Sequence, residues 1–264
     1  MKILVPTDFS DNARNAFDFA KEIAKKNHGT ITLLYAYYNV YDFAAQSSSI
    51  IIQIEETARQ AMEEISDERS KGCEVNYRIV QDSVATAVTS TAYKENYDLI
   101  VMGTQGESGI RKALMGSNTV HVIKDSKTPV LVVPFASSFD TIKEVVVSVD
   151  WETIDQKDLE KLFRISRSWK MPIWTVNVKT NGNRGSAGPH PELMSFLEEH
   201  LPGMEHHSIT ATDIYEGIHK YLQDRSQCLL VMFSKHKPFF ERLLAKGNIE
   251  KMAFHTHVPL LVLN

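Results

Sequence analysis

Short, unbroken apolar runs separated by longer stretches of helical periodicity recur along this chain, and that alternation leaves few folds open. Ile3-Leu4-Val5 is followed by residues 13–26, where Ala16, Phe17, Ala20, Ile23 and Ala24 share one helical face. Residues 31–35 form a second apolar run, and a loop from Asn39 leads into a long helix around residues 50–71. Residues 75–80 predict a third strand, 85–95 a third helix, Leu99-Ile100-Val101-Met102 a fourth strand and 130–133, after Pro129, a fifth. Alternation of this kind implies βαβ units and a parallel sheet, because parallel strands need crossovers long enough to hold a helix. Runs that are apolar throughout, rather than at alternate residues, fit strands covered on both faces.

The pattern then repeats. Lys2-Ile3-Leu4-Val5-Pro6-Thr7-Asp8 matches Glu144-Val145-Val146-Val147-Ser148-Val149-Asp150. Leu99-Ile100-Val101-Met102-Gly103 matches the run from Cys228 to Phe233 within one residue, and Pro129-Val130-Leu131-Val132-Val133 matches Pro259-Leu260-Leu261-Val262-Leu263. The expectation is two α/β domains in tandem, 1–138 and 139–264, each a five-stranded parallel sheet with helices on both faces. The small, polar stretch from Ala136 to Thr141 lies at the boundary. Two copies of one fold in one chain form a built-in pseudo-dimer.

A net charge of −4 argues against nucleic acid as the main partner, because phosphate backbones call for a clustered basic face. Two distant cysteines, Cys73 and Cys228, give no disulfide framework and suggest a reducing, cytoplasmic setting. The first residues pass directly into a strand, which reads as no signal peptide, and no apolar stretch approaches the ~18 residues of a membrane span.

Four of the twelve glycines, Gly103, Gly106, Gly109 and Gly116, fall within residues 101–120, directly after the fourth strand. In open α/β sheets ligands sit beyond the carboxyl ends of strands, where strand order reverses. Gly103 stands where the strand must turn, which suggests a positive φ, and Gly106 has no Cβ to hold a ligand away. Gly116 precedes Ser117-Asn118-Thr119, which opens a helix with Ser117 or Asn118 as its N-cap. The unpaired N–H groups and dipole of such a helix start favour an anion. No Gly-x4-Gly-Lys-Ser/Thr occurs, so no Walker lysine reaches the phosphates, and no GxGxxG follows the first strand. Arg111 and Lys112 read as a solvated flap or as phosphate contacts.

The spacing Gly103-x2-Gly106-x9-Gly116-Ser117 resembles the ATP-binding motif of universal stress proteins. Val5-Pro6-Thr7-Asp8-Phe9-Ser10 and Val130-Leu131-Val132-Val133-Pro134 are similar to that family's first and last strands. The resemblance implies a Rossmann-like fold of the adenine nucleotide alpha hydrolase kind. It implies an adenine nucleotide in the first domain, with Mg²⁺ or Mn²⁺ on its phosphates, partly held by water. Pro6, Thr7 and Asp8 would line the adenine and ribose side, and Ala36 would offer backbone to the adenine edge. Met102 and Gly103 would underlie the ribose, while Gln105, Gly106, Gly116, Ser117 and Asn118 would hold the phosphates. The expected role is ATP binding in stress response or signalling with little or no hydrolysis; an interaction scaffold and a slow ATPase are the alternatives. In this family final strands pair across a two-fold, which the fused copies could satisfy or which could join two chains into a homodimer. The sequence names no downstream protein partner.

The second copy has Phe233 in place of Gly103, His236 in place of Gly106, and Gly247 displaced by one position, so no ATP is expected there. Pro238-Phe239-Phe240 forms an apolar knot that either packs inward or presents a contact. Eight of ten histidines lie at or after His190. His206-His207 and His255-Thr256-His257 offer metal-ligand chemistry, but no third ligand follows from their spacing, and surface or capping roles are the stronger reading. Residues 181–191 read as a flexible glycine-rich loop replacing a helix of the first copy.

Overall fold

The computed structural model describes residues 1–38, 47–69, 72–104, 115–180, 188–234 and 258–264. They fall into two compact units divided between Ala136 and Ser137. The first contains β1 (Lys2–Pro6), α1 (Asp11–Asn27), β2 (Thr30–Tyr37), α2 (Ser47–Arg69), β3 (Glu74–Gln81), α3 (Val84–Lys94), β4 (Leu99–Gly103), α4 (Ser117–Asp125) and β5 (Val130–Val133). Its strands are all parallel, in the order β3-β2-β1-β4-β5.

Central strands are buried at all but one terminal residue. Ile3, Leu4 and Val5 of β1 and Leu99, Ile100 and Val101 of β4 are fully buried. Each such side chain contributes about 1.5–3 kcal/mol relative to exposure. The edge strand β3 is exposed or half-buried at every position. α1 starts at Ser10, whose Oγ accepts the Ala13 N–H at 3.2 Å, and it buries Ala13, Ala16, Phe17, Ala20, Ile23 and Ala24 on one face. It ends on His28 in the left-handed conformation, with Asp11 in its first turn and Lys25 and Lys26 in its last, as the helix dipole favours.

The second unit repeats this plan with β6 (Glu144–Ser148), α5 (Gln156–Ser166), β7 (Ile173–Thr180), α6 (Pro191–His200), β8 (His206–Ala211), α7 (Ile214–Leu222), β9 (Cys228–Phe233) and β10 (Leu260–Leu263). The order β10-β9-β6-β7-β8 is the same winding, again parallel throughout. The polar boundary stretch is anchored: a single 3-10 turn at Phe139–Thr141 buries Phe139 completely, its ring edge-on to Trp169 at 5.5 Å.

One expectation is corrected here. The crossover from β7 to β8 keeps a helix, ten residues long against twenty-three in α2. His190 caps α6 through Nδ1, Pro191 takes its first position, where no intrahelical N–H is needed, and Leu193 and Leu197 bury one face. The Pro238-Phe239-Phe240 knot, His236, Gly247, His255 and His257 lie outside the described residues, as do residues 181–187.

Candidate functional site

The chain leaves β1 for β2 on one side, and β4 adds on the other, so the first unit reverses direction between β1 and β4. Crossovers departing to opposite sides leave a crevice at the strands' carboxyl ends. A cleft of about 560 Å³ opens there. Pro6, Leu34, Ala36, Met102 and Gly103 form its strand side. Thr7 and Asp8 border it from the turn after β1, Ala13 from the start of α1, Val84 from the start of α3, and Gly116, Ser117, Asn118 and Thr119 from the start of α4.

The turn after β1 is held by its own side chains. Thr7 N–H donates to the Leu34 carbonyl at 2.9 Å, continuing the strand pairing, and Phe9 N–H donates to Thr7 Oγ1 at 3.0 Å. Phe9 takes a positive φ of 66° and stacks on Tyr35 with ring centroids 5.0 Å apart. Asp8 Oδ1 accepts from both Ser10 N–H, at 3.1 Å, and Ser10 Oγ, at 2.6 Å. Ser10 is therefore the cap of α1, and Asp8 orients that cap while bordering the cleft.

On the opposite wall, the N-cap of α4 is Gly116, not Ser117 or Asn118 as the sequence suggests. Gly116 is in extended conformation and contributes no side-chain hydrogen bond. α1, α3, α5, α6 and α7 are each capped by a side chain, from Ser10, Ser83, Asp155, His190 and Asp213. At α4 the first-turn N–H groups face the cleft without such an acceptor, at the positive end of the helix dipole. The helix start is pinned to β4: Gly116 N–H donates to the Thr104 carbonyl, and Thr119 Oγ1 donates to the Gly103 carbonyl at 3.0 Å.

Gly103 is glycine for a different reason than the sequence suggests. Gly72 and Gly203 are the glycines with positive φ among the described residues, and Gly103 is not one of them. A Cβ on Gly103 would stand 2.8 Å from Asn12 Nδ2 and 3.1 Å from the Asn12 carbonyl. The glycine lets α1 cross the end of β4 at close range.

Nine of the residues singled out in the sequence thus meet at one cleft: Pro6, Thr7, Asp8, Ala36, Met102, Gly103, Gly116, Ser117 and Asn118. Gln105 and Gly106 lie outside the described residues, as do Arg111 and Lys112. Ala13, Leu34, Val84 and Thr119 also line the cleft and carry no motif. Leu34 shares a strand with Ala36 two residues on, so strand periodicity alone could have found it.

The model of the Universal stress protein family matches residues 1–134. This chain belongs to that family. Universal stress protein MJ0531 of Methanocaldococcus jannaschii is 32% identical over 138 residues, covering 50% of this chain and 81% of the relative. Universal stress protein Slr1230 of Synechocystis is 25% identical over 295 residues and covers 98% of both chains, so both units of this universal stress protein have counterparts there. The crystal structure of a universal stress protein from Archaeoglobus fulgidus matches 99% of this chain and 95% of its own, with a TM-score of 0.71 at 20% identity, and shows the same fold.

Strand register shows what became of the same place in the second unit of this universal stress protein. β6 pairs Val145 with Leu229 and Ile173, as β1 pairs Ile3 with Leu99 and Ile31. Counting along the strands, Asp150 stands where Asp8 does, Val178 where Ala36 does and Phe233 where Gly103 does. Phe233 is buried, and Val178 packs so closely on α7 that a Cβ on Gly217 would stand within 3 Å of it. Larger side chains stand at both places.

His206 and His207 point to opposite faces of β8. His206 lies edge-on to Trp151 at 5.3 Å, and His207 lies between the Tyr221 hydroxyl, at 2.7 Å, and Glu205. Among the described residues no three His, Cys, Asp or Glu side chains gather as a metal site, and no helix is long and apolar enough to cross a membrane.

Proposed function

We propose that the first unit of this universal stress protein binds an adenine nucleotide, ATP, in the cleft between β1 and β4. Hydrolysis is slow or absent, and occupancy sets the stability and surface of that unit in a cytoplasmic stress or signalling role. The observation that carries this reading is the start of α4, a helix N-terminus bare of any side-chain cap that faces a strand-end cleft. A polyphosphate can take the N–H groups that a capping side chain occupies elsewhere. The cleft volume lies within the ~300–1,000 Å³ of small-molecule sites. Ala36, with a single methyl group, leaves the β2 edge open to a flat base.

Gly116, Ser117 and Asn118 would hold the phosphates, with Gln105 and Gly106 from the adjoining loop. Asp8, at the far side of the cleft, would meet ribose hydroxyls, where its charge does not oppose the phosphates. A Mg²⁺ or Mn²⁺ ion would ride on the nucleotide, held by phosphate oxygens and water, and would neutralise charge there. The second unit, with Val178 and Phe233 in place, is a structural partner without nucleotide.

Thermal melts with and without millimolar MgATP test the reading. At one hundred times the dissociation constant, a ligand bound only to the native state adds about 2.7 kcal/mol, a shift of several degrees. An unmoved melting temperature would leave an interaction scaffold as the better description. Steady phosphate release faster than ~1 s⁻¹ would instead make the protein an ATPase.

A further inference from the structure

The second unit carries another concavity, of about 680 Å³, remote in chain position from any nucleotide motif. It lies where α5 and α6 both end, against the start of β7. Met171, Ile173 and Leu201 supply apolar lining. Phe163 and His200 add two nearly parallel rings, 12° apart in orientation with centroids at 5.6 Å. Arg164, Arg167 and Lys170 border the same space.

These three cations have no acidic partner among the described residues, and no acidic side chain is among those that line the cavity. In the same unit Arg225 is paired with Glu144 at 2.7 Å and Lys161 with Asp158 at 3.8 Å. Helix ends supply part of the balance. The C-termini of α5 and α6 each contribute roughly half a negative charge. Two such ends offset about one of the three cations and leave the cavity mouth about two charges positive.

Two further details bear on the ligand. Ser166 cannot serve it, because its Oγ donates to the Leu162 carbonyl at 2.9 Å. His200 Nδ1 donates to the Phe196 carbonyl at 2.9 Å, since a carbonyl can only accept, which leaves the proton off Nε2 in the neutral ring. Lys170 sits at φ 53°, a left-handed position that glycine takes without strain. A lysine there keeps its charge against the preference of its backbone.

We propose that this cavity binds a small phosphomonoester with a flat apolar body. The dianionic phosphate would sit among Arg164, Arg167 and Lys170, where guanidinium forks match phosphate oxygens in pairs. The flat body would lie on the Phe163 and His200 rings and the Met171–Ile173 side. This site is separate from the cleft of the first unit and does not depend on that cleft's binding ATP.

Calorimetric titration with phenyl phosphate, on the full-length protein saturated with MgATP, tests the proposal. Phenyl phosphate is expected to bind at least tenfold more tightly than inorganic phosphate, and MgATP is expected not to compete. Arg164→Gln with Arg167→Gln is expected to weaken it at least tenfold, and Lys170→Gly several-fold while raising the melting temperature. Lys170→Gly keeps the test sound, because it removes the charge by relaxing the backbone. Three results would overturn the proposal: no binding at millimolar phenyl phosphate, equal affinity for inorganic phosphate, or unchanged affinity in these variants. Competition by MgATP would also overturn it, by placing the phenyl phosphate in the first unit.

Discussion

Gly103 and His206 show how differently single residues depend on their surroundings. A side chain on Gly103 has no room, because Asn12 of α1 stands within 3 Å of any Cβ there. Gly103→Ala should destabilise the protein by about 1–3 kcal/mol, as overpacking does, visible as a lower urea midpoint with an unchanged slope. His206 is held below the usual imidazole range, chiefly by burial and then by the neighbouring His207. Its folded value is therefore lower than its unfolded one, near 6.5, and the unfolded state binds more protons in that window. Stability should be complete above about pH 6.5 and be lost as pH falls from there through the depressed value. Melting temperatures at pH 7.5 and 5.5 should differ more in the wild type than in His206→Asn; equal slopes would remove His206 from the account. Neither position was legible in sequence at this level. The glycine's spacing was plain, but its reason lay with a residue ninety-one positions earlier in the chain.

Among elements, α4 and α6 invite opposite experiments. Gly116→Asp would give α4 the carboxylate cap that α5 and α7 already have, adding about a few tenths of a kcal/mol of stability without nucleotide. The same carboxylate would occupy the N–H groups proposed for phosphate and repel it. ATP affinity should fall at least tenfold by calorimetry while the melting temperature of the nucleotide-free protein rises. A variant that gains stability and keeps its affinity would show that the helix start does not hold the phosphates. In α6 the acceptor is an imidazole nitrogen, 3.4 Å from the Leu193 N–H. His190→Asp should raise the melting temperature by one to a few degrees, since a carboxylate caps better and suits the positive helix end. Sequence periodicity revealed every strand of the first unit and the position of its glycine-rich loop. It missed the cap of α4, because Ser117 and Asn118 are favoured capping residues and only backbone geometry shows Gly116 taking that position. It likewise passed over α6, whose ten residues follow a glycine-rich stretch of sequence.

At the scale of the whole molecule, the proposed function raises the question of how many nucleotides one chain would hold. Phe233 and Val178 stand at the register positions of Gly103 and Ala36, and larger side chains at both strand ends oppose the close approach of a nucleotide. Calorimetry should therefore return one ATP per chain, and a value of two would refute the closure of the second unit. The amino-acid sequence by itself determined the α/β class, the parallel winding, the duplication and the family, because these follow from apolar runs, their spacing and a glycine motif that any compact form must accommodate. Tertiary structure decided the rest: which helix start stays uncapped, which glycine is squeezed by a neighbouring helix, and where three cations meet beside two ring faces. Those features depend on distances between residues far apart in the chain. Such distances exist only once the sheet has been wound and the helices laid across it.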